Sequence, residues 1–257
     1  MSTASLVQAR GLGFGWPGHR LFHDLAACRA WGVESETQAH SPAMGQESGV
    51  LEERRSQKWT AAAGLQPTTP KPDRLLGFDI PPGVSLITGE DGSGKTTLLR
   101  LLAGELAAEV GTLSVQGVRF DESRERYRQR VFWIDPQTPA HDALSAAAFL
   151  ENLPRQHPRF SRETLADLVD GFALTPHLHK PIYMLSTGSK RKVWLSAAFA
   201  AGAPVTLIDQ PFAALDGPSM RLVGELLQEA AEHPDRAWVM ADHQAPPGVP
   251  LASVIKL

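Results

Sequence analysis

Eight consecutive residues, Gly89-Glu90-Asp91-Gly92-Ser93-Gly94-Lys95-Thr96, have the types and spacing to do chemistry on phosphate. They match G-x-x-x-x-G-K-[ST] without a gap. Glycines at these positions let the backbone curl so that successive N–H groups point inward at phosphate oxygens. A helix beginning near Lys95 adds the positive end of its dipole. Lys95 reaches the terminal phosphates as a point charge, and the Thr96 hydroxyl is a ligand for Mg²⁺. The whole cradle runs from Gly89 to Thr97.

Other residues could complete such a site. Val205-Thr206-Leu207-Ile208-Asp209 is an apolar run ending in a carboxylate, either a strand that delivers Asp209 to a magnesium shell or a plain buried strand with a capping Asp. Leu185-Ser186-Thr187-Gly188-Ser189 opens an alanine-rich helix, where Ser186 and the N–H groups near Gly188 offer donors to an anion. The same residues also read as an ordinary helix cap followed by solvated Lys190, Arg191 and Lys192. Ala213-Ala214-Leu215-Asp216 leads into Gly217 and reads as a turn. Gln137 follows Ile134-Asp135-Pro136, and His243 follows the apolar run Trp238–Ala241 and Asp242.

The elements that must position these residues alternate. Leu6–Phe14 reads as an opening strand, Val84–Thr88 as a short apolar strand before the glycine loop, and Thr96–Ala103 as a helix. Leu113–Phe120 alternates like one strand of an antiparallel piece, and Val131–Ile134 like a buried strand. Residues 143–200 are mostly helical, interrupted by Pro154, Pro158, Pro176 and Pro181. Then come a strand to Asp209, an amphipathic helix over Met220–Glu232, a strand over Trp238–Ala241 and a last strand over Ala252–Leu257. Alternation of this kind predicts an α/β fold with a mainly parallel sheet covered on both faces. Residues 28–74 differ: glutamates scattered among Ser, Gln, Thr, Gly and Pro, ending in Pro67-Thr68-Thr69-Pro70-Lys71-Pro72, predict a loose, largely disordered segment. A short helix near Val50–Trp59 is compatible with that texture.

Bulk properties set limits. The 257 residues are 42 % hydrophobic and 21 % charged, ordinary values for a chain that buries a core. A formal net charge of −3 gives no support to non-specific nucleic-acid binding. One cysteine, Cys28, excludes an internal disulfide framework and a multi-cysteine metal site. No apolar stretch approaches the roughly 18 residues needed to span a bilayer, so work at a membrane needs a second, membrane-spanning chain.

Taken in chain order, the motifs resemble those of ATP-binding cassette (ABC) transporter ATPases. Leu185–Ser189 is similar to that family's LSGGQ signature, with Thr187 and Ser189 in place of Gly and Gln. Ala213–Asp216 is similar to its S-A-L-D loop, Gln137 to its Q-loop glutamine and His243 to its switch histidine. Trp16, with Phe14 as a rival, sits where the family places an aromatic that stacks on adenine. The resemblance implies a P-loop NTPase fold with a mainly parallel sheet, a small antiparallel β piece and a helical subdomain over 140–200. It implies a single cassette over 1–257, with 27–76 an insertion.

The resemblance further implies ATP and Mg²⁺ as cofactors, Mg²⁺ being held by Thr96, Gln137 and Asp209. It implies catalytic roles for Lys95, Gln137, Asp209, Gln210 and His243. Gly89, Glu90, Asp91, Gly92, Ser93, Gly94, Lys95, Thr96, Thr97, Trp16, Ser186 and Gly188 would contact nucleotide. Two cassettes, as a homodimer or heterodimer, would sandwich two ATP molecules, each site joining one chain's cradle to the other's Ser186 and Gly188. The partner implied is a transmembrane permease, with the cassette peripheral on the inner, cytoplasmic face of the cell membrane and no nucleic acid involved. Within the family, the compact core and the ending Asp242-His243-Gln244-Ala245-Pro246 are similar to ATP-binding subunits of the haem exporters of cytochrome c maturation.

One departure bears on mechanism. The family carries Glu after the strand Asp, as the base that polarises water; here Gln210 stands there. An amide holds a water by hydrogen bonds but takes no proton at neutral pH. General-base catalysis contributes ~10²–10⁴-fold, so strong binding with slow hydrolysis is expected. Gln210 therefore leaves open an ATP-gated regulator or scaffold with little hydrolysis. A soluble cassette acting on nucleic acid or ribosomes fits less well, because the chain has one cassette and its insertion lacks sustained heptads.

Overall fold

In the computed structural model the described residues are 5–16, 19–20 and 76–257, and for residues 15, 16, 19 and 20 only the backbone is described. Cys28, the 50–59 helix and the insertion expected over 27–76 therefore lie outside them, apart from Leu76, as does the side chain of Trp16.

Three strands are buried along nearly their whole length: β5 (Gly83–Thr88), β9 (Val205–Asp209) and β10 (Ala237–Ala241). Such runs are stable only where both faces are covered. They form the centre of a five-stranded sheet with β8 (Val131–Phe132) and β11 (Leu251–Lys256) at its edges, in the order β11-β5-β10-β9-β8. Every pairing in it is parallel. A second sheet, β4-β1-β6-β7, joins β1 (Val7–Gly13), β4 (Leu76–Ile80), β6 (Val110–Val115) and β7 (Val118–Arg119) by antiparallel ladders. A two-strand ribbon pairs β2 (Gly15–Trp16) with β3 (His19–Arg20).

The two-residue period of the parallel strands sorts side chains into two cores. Val84, Leu86, Ile208, Trp238 and Met240 face one side, with α3 (Ala146–Asn152), α4 (Arg162–Gly171), α5 (Thr187–Ala200) and α6 (Gly217–Ala231). Ile87, Val205, Leu207, Val239 and Ala241 face the other, against α1 (Lys95–Leu102) and the antiparallel sheet. This is the expected arrangement: a parallel sheet with both faces covered, an antiparallel piece on one side, and helices α3 to α5 inserted between β8 and β9.

Helix starts follow their caps. Ser145, Ser161, Ser186 and Asp216 each accept from the N–H three residues on, at α3, α4, α5 and α6. α6 thus begins at Gly217, three residues before the sequence expectation of Met220, with Pro218 in its first turn. The strand expected over Leu113–Phe120 is corrected to a hairpin, because Gln116 (φ 47°) and Gly117 (φ 73°) turn the chain between β6 and β7. A five-residue helix, α2 (Arg124–Arg128), was not foreseen; it is anchored by fully buried Tyr127, whose hydroxyl donates to the Leu102 carbonyl at 2.7 Å.

Candidate nucleotide site

The parallel register brings the carboxyl ends of β5, β9 and β10 level, with Ala241 opposite both Ile87 and Asp209. Open α/β sheets bind ligands just beyond these ends. The glycine loop follows β5, Gln210 follows β9, and Asp242-His243 follows β10. Main-chain bonds fasten the three segments: Gln210 N–H donates to Ala241 O at 2.8 Å and Asp242 N–H to Ile87 O at 3.1 Å.

The loop itself has the shape its glycines allow. Gly92 (φ 76°) and Gly94 (φ 97°) lie in the left-handed region, and Gly94 caps α1 without a side chain. A Cβ on Gly89 would come within 2.6 Å of Ser93 Oγ and 2.8 Å of Leu257 O, so only glycine fits. Lys95 is 7 % exposed and lies across the loop, donating to the carbonyls of Gly89 and Glu90, both at 2.8 Å. Ser93 Oγ is buried with no partner.

Thr96 Oγ1 donates to Asp209 Oδ2 at 2.7 Å, which joins two of the three residues expected around magnesium. The other oxygen, Oδ1, is buried and has no partner. Burial raises the Asp209 carboxyl above the usual range, opposed by the Thr96 hydrogen bond and by the charges of Arg191 and Lys95. A hydroxyl and a half-satisfied carboxylate fit a small divalent cation that keeps most of its waters. Gln137, the third residue, lies on an exposed turn held by its own N–H donating to Asp135 Oδ1 at 2.9 Å.

Gln210 is exposed just past the strand and adopts φ 48°, uncommon for a residue with a side chain. His243 places Nε2 3.3 Å from Asp91 Oδ1, across the mouth of the glycine loop. Ser186 is exposed and caps α5, accepting from Ser189 N–H at 3.1 Å. Gly188 has a packing reason: a Cβ there would meet Ala214 O at 2.6 Å. The signature-like segment and the Ala213–Asp216 turn are thus in direct contact within one chain. Of the two aromatics at the first strand, Phe14 packs against the core on the α1 side.

The basic run after Gly188 is not a solvated face. Lys190 pairs with Asp142 at 2.7 Å, Lys192 with Asp216 at 2.7 Å, and Arg191 donates to the main-chain oxygen of Asp209. Arg191 was absent from the candidate residues because its partner lies 18 residues away, beyond any local pattern.

Comparison with known proteins decides the family: the profile described as "ABC transporter" matches residues 75–213, more than half of the chain. The chain belongs to the ABC transporter ATPase family. A curated relative of this cassette is the cytochrome c biogenesis ATP-binding export protein CcmA of Escherichia coli K12, 32 % identical over 154 residues, which are 60 % of this chain and 72 % of CcmA. Two solved structures share the cassette fold. The ATP-binding subunit of an ABC transporter superposes with a TM-score of 0.65 at 17 % identity, over 92 % of this chain and 79 % of that one. An ABC transporter ATP-binding protein from Pyrococcus furiosus gives 0.63 at 14 % identity, over 98 % and 96 %. No helix among the cassette's described residues is long and apolar enough to cross a membrane.

Proposed function

We propose that this cassette binds Mg·ATP at Gly89–Thr97, hydrolyses it slowly, and drives a separate membrane permease as one half of a cassette dimer on the inner face of the membrane. The single observation that carries the reading is the Thr96–Asp209 pair beside the glycine loop, with a buried carboxylate oxygen left unpartnered. Thr96 and Asp209 would hold the metal, with Gln137 entering its shell; the chemistry it would supply is charge neutralisation at the phosphoryl oxygens. The inward N–H groups of residues 89–97 and the Lys95 ammonium orient the phosphates. His243 contacts the terminal phosphate, Trp16 is the adenine-stacking candidate, and Ser186 and Gly188 serve the neighbouring chain's nucleotide. Residues 140–200 form the helical subdomain that docks on the permease. Residues 27–76 are an insertion in one domain spanning 1–257. The likeness to CcmA supports an export role connected with cytochrome c biogenesis.

Gln210 holds the attacking water without removing its proton, so turnover is slow. That same residue favours a second reading, an ATP-gated regulatory or scaffold cassette with little hydrolysis. Steady-state and single-turnover ATPase assays separate the two. On the transporter reading Gln210→Glu raises the single-turnover rate by about 10²-fold or more. A variant as inert as the parent favours the regulator, and a parent already as fast as the variant overturns slow hydrolysis. Lys95→Ala abolishes Mg·ATP affinity; unchanged affinity overturns the nucleotide site altogether. Co-purification of a polytopic membrane protein tests the permease.

A further inference from the structure

The contact between Asp91 and His243 adds little to the fold. Asp91 is 93 % exposed and the His243 side chain 46 %, and a pair so open to solvent contributes little to stability. The main chain of His243 is held without it: its backbone N–H donates to Asp242 Oδ1 at 2.7 Å, and its main-chain oxygen accepts from Thr88 Oγ1 at 3.1 Å. Asp91 reaches it from the opposite wall, at the tip of the glycine loop, just before Gly92, beside which there is open space. The imidazole Nε2 that would meet a terminal phosphate therefore already lies beside a carboxylate oxygen.

We propose that Asp91 is a specificity-determining residue that weighs ATP against ADP. It competes with the terminal phosphate for His243, and its negative charge repels the added charge of the triphosphate. ADP, which lacks that phosphate, meets neither obstacle to the same degree. The inference rests on the reading of Gly89–Thr97 as a nucleotide cradle and of His243 as a partner of the terminal phosphate. It adds that Asp91 raises the ATP concentration needed to fill the site. Because both groups are near the surface, salt screens the repulsion, and the discrimination weakens as ionic strength rises.

The test is calorimetric titration of the full chain with Mg·ATP and with Mg·ADP, for the parent, Asp91→Asn, His243→Ala and the double variant. Asp91→Asn is expected to tighten Mg·ATP about three- to tenfold and Mg·ADP less than about twofold, with the gain shrinking in the His243→Ala background. Equal changes for both nucleotides, no change for Mg·ATP, or an undiminished gain without His243 each overturn the proposal. A parent with no Mg·ATP affinity, indifferent to Lys95→Ala, overturns the nucleotide reading itself, and the role of Asp91 with it.

Discussion

Asp209 shows what one residue gives up for its position. It is 9 % exposed, one oxygen takes the Thr96 hydroxyl, and the other takes nothing. Burial raises its pKa, so the folded chain holds the proton more readily than the unfolded chain does. For a raised carboxyl, stability falls as pH climbs from the ordinary range through the raised value, above which the ionised group is a net cost. Asp209→Asn should therefore raise the melting temperature of the nucleotide-free chain, about 2–4 °C for each kcal/mol recovered in a protein of this size. The same variant should lose the magnesium dependence of ATP binding. Differential scanning calorimetry with and without Mg·ATP reads both effects. A lower melting temperature would mean that the carboxylate is satisfied after all.

Among the elements, the join between α5 and the turn before α6 is tight. Gly188 abuts Ala214 O, and Lys192 ties Asp216, which is also the cap of α6. Gly188→Ala should cost about 1–3 kcal/mol in urea unfolding by overpacking, whereas Thr187→Ala, one residue away and exposed, should stay within about 0.5 kcal/mol. A Gly188→Ala variant that costs no more than Thr187→Ala would mean that the contact imposes no constraint, since alanine is the best helix former.

The central strands were legible in the sequence because β5, β9 and β10 are short, mostly apolar runs, and the glycine loop because its motif has no gap. The β6–β7 hairpin was not, since Gln116 is no turn residue by type and the alternation runs on through it. Nor were the partners of Lys190, Arg191 and Lys192, which lie 48, 18 and 24 residues away and meet only when the sheet forms. Asp216 and Pro218 did mark the start of α6, but the apolar period is clear only from Met220.

On the scale of the whole molecule, the acid limb of stability should be set on the helical side of the sheet. His157 lies against Phe132, with ring centres 5.0 Å apart, and His141 against Phe149 at 4.9 Å. Burial lowers both imidazoles below their ordinary value; at His141 the Lys190 charge adds to this and Asp142 opposes it. For a lowered base, the stabilisation is complete above the unfolded value near 6.5 and is lost as pH falls through the folded value. Melting temperature should thus drop on going from pH 7 to pH 5, and His157→Leu should flatten that drop. An unchanged slope would assign the loss to carboxylates instead.

The way Lys95 spans the loop has a thermodynamic consequence. Its ammonium grips two carbonyl oxygens, which fixes the curvature of the hollow. Filling it is an exchange of one set of oxygen partners for another, not the ordering of a floppy segment. Most of the entropy that a mobile loop would forfeit on capture has been surrendered during folding.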